Sequence, residues 1–217
     1  MKSMQAEKEI AVLIERYPVL SGLRNNLILA AETIIDAIKN GNKVLVCGNG
    51  GSAADSMHIV GELMKGFMLE RKLTNELQKQ IQQQFPDEAD YYIKNLQQPI
   101  PAISLVNEVA LTTAFSNDKC ADLVMAQQVL GSGRRGDVLI AISTSGNSAN
   151  IVHAAKIASV LGLKIISLTG TSGGELANIT DILLAVPAQI TYQIQELHLP
   201  VYHALCLAVE KELFLEK

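Results

Sequence analysis

The feature that most constrains this chain is a series of short apolar runs, each followed by a loop and then a helical pattern. Lys43–Cys47 (KVLVC), Asp137–Ile142 (DVLIAI), Lys164–Leu168 (KIISL) and Asp181–Val186 (DILLAV) are near-continuous in Val, Ile and Leu. Ala102–Leu105, just after Pro99 and Pro101, is a shorter run of the same kind. A strand that is apolar throughout must be covered on both faces, and strands alternating with helices make a parallel sheet. The expectation is an α/β fold that binds its ligand beyond the C-terminal ends of the strands.

The first forty residues read as helix, interrupted at Pro18, with Leu23, Leu27, Ala31, Ile34 and Ile38 at helical spacing and Gly41 as a stop. Further helices are expected from Ala53 to about Met68, over Glu108–Phe115, over Lys119–Leu130 behind an Asn117–Asp118 cap, over Ala149–Leu161 and over Thr191–Phe214. Residues 69–98 are different. They are rich in Gln and charge, with Leu73, Leu77 and Ile81 four apart, a break at Phe85-Pro86-Asp87, and Tyr92 and Leu96 to anchor a second helix. This is a helical excursion with solvated Gln-rich faces.

Composition narrows the function classes. Of 217 residues, 48% are hydrophobic and 18% charged, so the chain folds around a substantial core. A net charge of −4 supplies no field toward nucleic acid or a membrane surface, and 4% aromatics without Trp argue against a base-stacking platform. Three scattered cysteines without a CxxC pair suit a reducing compartment. The first residues carry no signal-like apolar run, and no stretch approaches the ~18 apolar residues of a spanning helix. A soluble, cytoplasmic protein is expected.

Two loops end a strand and open a helix. Gly48-Asn49-Gly50-Gly51-Ser52 allows positive φ and close backbone approach, and Ser143-Thr144-Ser145-Gly146-Asn147-Ser148 adds hydroxyls to the same geometry. Together they suit a phosphate, although each alone also reads as ordinary capping and turn chemistry. The first loop imitates a dinucleotide fingerprint, yet no second strand with its acidic residue follows, so that reading is weak. His58 and Glu62, four apart, share a helix face. In the last helix Gln195, Glu196, His198 and His203 cluster, and Gln195 and His203 lie about 80° apart around the axis. Taken singly, these pairs read more readily as a solvated helix face and a capped or core histidine.

GNGGS with DSMHIVGEL, the loop AISTSGNSAN, the stretch SLTGTSGG and the terminal QIQELHLPVYH together resemble the sugar isomerase (SIS) superfamily, and within it the phosphoheptose isomerases. The resemblance covers nearly all of the chain apart from residues 69–98. It implies a single SIS-type three-layer domain over 1–217, with a parallel sheet of about five strands, N-terminal helices in 1–40 and a helical insertion at 69–98. It implies conversion of sedoheptulose 7-phosphate to glycero-manno-heptose 7-phosphate through an enediol, with Glu62 as base and His203 as acid.

By motif, Asn49, Gly50, Gly51 and Ser52, the pair Asn117 and Asp118, the loop residues Ser143, Thr144, Ser145 and Ser148, and Gln195 match substrate-binding positions. His58, Glu62, Gln195 and His203 match the positions that bind one zinc ion per subunit in family members containing it. Ser116 stands where a glycine commonly precedes the Asn-Asp pair, and Pro200 is expected to kink the last helix by removing its bond to Glu196. Helix faces more apolar than one sheet requires point to a homotetramer with shared sites. The rival reading is a non-catalytic SIS protein that binds a sugar phosphate or a protein partner, of the replication-initiation regulator type. Such a protein has no need of Glu62 and His203.

Overall fold

The computed structural model describes residues 3–215; the outermost two residues at each end, including the start of the helix expected over 1–40, lie outside the described residues. Five strands, β1 (Val44–Cys47), β2 (Ala102–Ser104), β3 (Val138–Ile142), β4 (Lys164–Thr169) and β5 (Ile182–Ala185), form one sheet in the order β2-β1-β3-β4-β5. Every neighbouring pair is parallel. β1 and β3 are buried at every position, as their unbroken apolar runs require.

Alternate side chains feed two cores. On one face Val44, Val46, Ile140 and Ile142 pack with α1 (Met4–Arg16), α2 (Arg24–Lys39), α3 (Gly51–Met64) and α9 (Thr191–Phe214). On the other, Leu45, Cys47, Leu139 and Ala141 meet α7 (Val124–Ser132) and α8 (Ala149–Leu161). Pro18 breaks the N-terminal helix into α1 and α2 through a short 3₁₀ segment, Pro18–Leu23. The apolar surplus of α1 and α9 is largely consumed inside the chain, although Val12 and Leu199 stay exposed. Ala6, Ile10 and Leu13 of α1 are buried in the core they share with α9.

The excursion is helical, with α4 (Asn75–Gln84) and α5 (Ala89–Asn95), and α4 buries none of its residues. It leaves and returns at one point, where Gln98 N donates to Arg71 O at 2.7 Å. Three expectations change. α3 stops at Met64, short of Met68. Asn117 and Asp118 cap nothing: α6 (Val109–Phe115) runs into a π-helical turn, Ser116–Cys120, then a 3₁₀ turn, and α7 starts only at Val124. β2 ends at Ser104, one residue short of Leu105, while α9 runs through Pro200 to Phe214. Among the described residues no helix is long and apolar enough to cross a membrane.

Candidate active site

Chain order reverses between β1 and β3: β2 adds on one side of β1 and β3 on the other. The crevice at such a switch point, beyond the strands' C-terminal ends, is where open α/β sheets place ligands. The glycine loop follows β1 and the serine loop follows β3, so both line this crevice. They are joined across it. Asn49 Nδ2 donates to Asn150 Oδ1 at 2.8 Å, and Asn150 Nδ2 returns a bond to Asn49 Oδ1 at 2.9 Å.

The serine loop is braced from below. Gly146 has φ +69°, and its Cα lies against the backbone of Gly173, so no side chain fits there. Asn147 Oδ1 accepts from Glu175 N at 2.8 Å, while the Ser143 and Ser148 hydroxyls pair at 3.0 Å. Above the loop opens a cavity of about 470 Å³ lined by Thr144, Ser145, Asn147, Thr171, Ser172 and Gln189. The loop amides and hydroxyls at the start of α8 there provide an anion cradle without a cation. Thr171 and Ser172 were not singled out from the sequence. Their signal was the stretch SLTGTSGG, another hydroxyl-rich turn after a strand.

The second group comes from α3 and α9. His58 Nε2 lies 3.2 Å from Glu62 Oε1, and Lys65 Nζ lies 3.0 Å from Glu62 Oε2. From α9, His203 stands edge-on to His58 with ring centres 5.0 Å apart, and Phe67 leans on its other side. Burial, followed by the neighbouring His58, pushes the His203 pKa down. His203 also borders a cavity of about 200 Å³ against α1, lined in part by Arg16 and Tyr17. Glu62 carries 14% of its side-chain surface exposed, against 43% for His58, so the carboxylate is the more enclosed partner. Such a group, a shielded carboxylate beside imidazoles, can move protons.

Gln195 takes a different neighbour. Its amide rests against Gly51 Cα, where a methyl group would overlap it, and it makes no hydrogen bond to His58, Glu62 or His203 among the described residues. The other α9 candidates separate: Glu196 is exposed, whereas His198 is fully buried with Nε2 3.2 Å from Thr169 O. Gly50, φ +55°, supplies the turn into α3, and Ser52 is buried in its first turn. Asn117 and Asp118 are exposed on the π turn, bonded to each other at 2.9 Å.

As a metal centre the donor chemistry is suitable: two imidazoles, a carboxylate and an amide oxygen, with His203 Nε2 buried and without a hydrogen-bond partner. Among the described residues, no three His, Cys, Asp or Glu side chains converge on one point. His58 is engaged by Glu62 and by Tyr202, whose hydroxyl lies 3.0 Å from Nδ1.

The family model described as the SIS domain matches residues 8–102 and 93–170. A phosphoheptose isomerase of Akkermansia muciniphila is 34% identical over 206 residues, covering 95% of each chain. The chain belongs to the SIS-domain family of phosphoheptose isomerases. A second relative in this family, from Aliarcobacter butzleri, is 37% identical over 195 residues, covering 90% of this chain and 89% of its own. Solved phosphoheptose isomerases from Neisseria gonorrhoeae and Francisella tularensis share the fold at TM-scores of 0.71 and 0.74, with 33% and 34% identity. Each alignment covers 96% of this chain and 93% of the other. Family membership makes the chain an isomerase and removes the dinucleotide reading.

Proposed function

We propose that this protein interconverts sedoheptulose 7-phosphate and glycero-manno-heptose 7-phosphate, by proton transfer through an enediol. One observation carries the reading beyond family membership: α3 and α9 bring Glu62, His58 and His203 together, on a sheet whose crevice also holds a hydroxyl-rich anion cradle. A non-catalytic SIS protein needs the cradle alone.

The serine loop, through Ser143, Thr144, Ser145 and Ser148, binds the phosphate, and the glycine loop with Ser52 and Gln195 holds the sugar chain beside α3. Remote binding of the phosphate orients the reacting carbons. Glu62 takes the proton from the carbon next to the carbonyl. His203, whose pKa is pushed down by burial, acts from its neutral ring by donating a hydrogen bond that polarises the substrate oxygen, and the proton held on Glu62 returns to the adjacent carbon of the enediol while a proton passes between the two oxygens. His58, Glu62, Gln195 and His203 would hold Zn²⁺, which when bound polarises the substrate oxygens.

Self-association into a tetramer finds support in α6, which buries none of its side chains, leaves Val109 68% exposed and leads into the exposed Asn117 and Asp118. In the assembly these two residues complete a site. Cys47, Cys120 and Cys206 are all unpaired, which supports a cytoplasmic setting. The deciding experiment incubates purified protein with sedoheptulose 7-phosphate and follows aldose formation with and without a chelator, with light scattering on the same sample. No aldose in either condition overturns the activity, and a monomer at micromolar concentration overturns the assembly.

A further inference from the structure

Tyr202 lies beside His203 in the chain, but its hydroxyl points away, between two residues of α3. Its oxygen is 3.2 Å from Asp55 Oδ1 and 3.0 Å from His58 Nδ1. Tyr202 is 2% exposed, so water does not stand in for either partner. A phenol has one proton and can also accept, whereas an ionised carboxylate only accepts. The proton therefore goes to Asp55, and the phenol oxygen is left to accept from His58 Nδ1–H. We propose that Asp55 and Tyr202 are positioning residues that fix His58 with its proton on Nδ1, leaving the Nε2 lone pair free beside Glu62.

Three observations support this polarity. Asp55 Oδ2 is buried without a partner, so the Tyr202 hydroxyl is the hydrogen bond that its carboxylate has. The His58 and Tyr202 rings meet edge-on at 5.5 Å and 75°, and His203 closes the other side of His58 at 84°, so the imidazole is held in one plane. Tyr202 is 2% exposed, so its hydroxyl has no solvent with which to share its proton.

The consequence lies at Nε2. Nε2 lies 3.2 Å from Glu62 Oε1 with no hydrogen bond between them, and two acceptors so close suit a hydrogen-bond donor or a cation that both can reach. A substrate hydroxyl meets that need, and so does a metal ion, since a ligating histidine characteristically donates its other N–H outward to an oriented acceptor. The inference rests on the proposed function for what His58 serves, but the tautomer itself can be read without turnover.

The test is a long-range ¹H–¹⁵N correlation spectrum of ¹⁵N-histidine-labelled, chelator-treated protein in mildly alkaline buffer. Wild-type His58 is expected to show a protonated Nδ1 and a bare Nε2. Tyr202→Phe is expected to move the proton to Nε2 and, in chelator competition, to weaken Zn²⁺ binding about 10- to 100-fold, as removal of an orienting partner does. Asp55→Asn, whose amide can donate to the phenol, should reverse the chain of donors and also place the proton on Nε2. The proposal is overturned by a wild-type ring protonated on Nε2, or by a folded Tyr202→Phe with unchanged tautomer or Zn²⁺ affinity. If that variant does not fold, the wild-type spectrum decides. A wild-type protein with Nδ1–H and no Zn²⁺ binding supports the positioning role and removes the metal from the proposed function.

Discussion

Arg71 and Glu210 form an ion pair at 2.8 Å whose side chains are both wholly sealed from solvent. Glu210 also accepts from the backbone N–H of Phe67, Met68 and Leu69, and Arg71 donates to the carbonyls of Leu63 and Glu62. One pair thus satisfies the exposed carbonyls at the end of α3 and fastens the residue bearing the candidate base to the helix bearing His203. Removing one member leaves a buried charge unpaired, which costs about 3–5 kcal/mol. Glu210→Ala should show that loss in urea unfolding, whereas Arg71→Met with Glu210→Met should recover much of it. A Glu210→Ala protein within 1 kcal/mol of wild type (less than the ~3 kcal/mol floor) would contradict this account.

A positioned acid or base contributes about 10²–10⁴-fold in rate. Glu62→Gln and His203→Ala should each lose kcat by roughly that factor while staying folded and binding substrate. Ser145→Ala should instead raise KM more than it lowers kcat, because its hydroxyl holds phosphate. Steady-state kinetics on sedoheptulose 7-phosphate separates the two patterns, and near-wild-type turnover in a folded Glu62→Gln would refute the assignment of the base.

Glycines at 51 and 146 differ in what they permit. Gly146→Ala meets both a positive φ and the fixed backbone of Gly173, so the serine loop must distort, at a cost of about 1–3 kcal/mol for the backbone conformation alone. Gly51→Ala meets only the movable end of Gln195. The first variant should lose thermal stability and phosphate affinity. The second should keep its melting temperature and lose substrate or Zn²⁺ affinity, both readable by calorimetry.

His198 makes the fold acid-sensitive. Burial pushes its pKa from 6.5 down to about 4, so the folded state refuses a proton that the unfolded chain accepts. Its effect is nil above the unfolded value, and stability falls as pH drops from about 6.5 toward 4, by about 3 kcal/mol across the window. In denaturant unfolding at a series of pH values, His198→Gln should flatten that acid limb. An unchanged slope would assign the acid sensitivity to other groups.

Much of this protein was legible in its sequence because the signals are local. Unbroken apolar runs required strands buried on both faces, and the ranges Ala149–Leu161 and Thr191–Phe214 coincide with α8 and α9. Spacing placed His58 and Glu62 on one helix face, where they touch. What the tertiary structure alone decided are relations between distant residues. Asn49 meets Asn150, Arg71 meets Glu210, and Asp55 meets Tyr202, each pair more than ninety positions apart. No periodicity encodes such pairs, since they arise when helices dock on a sheet whose strand order reverses. The π turn at Ser116–Cys120 is another such case, because a run of short polar residues reads locally as a cap, whereas the backbone there continues from α6 as a π turn.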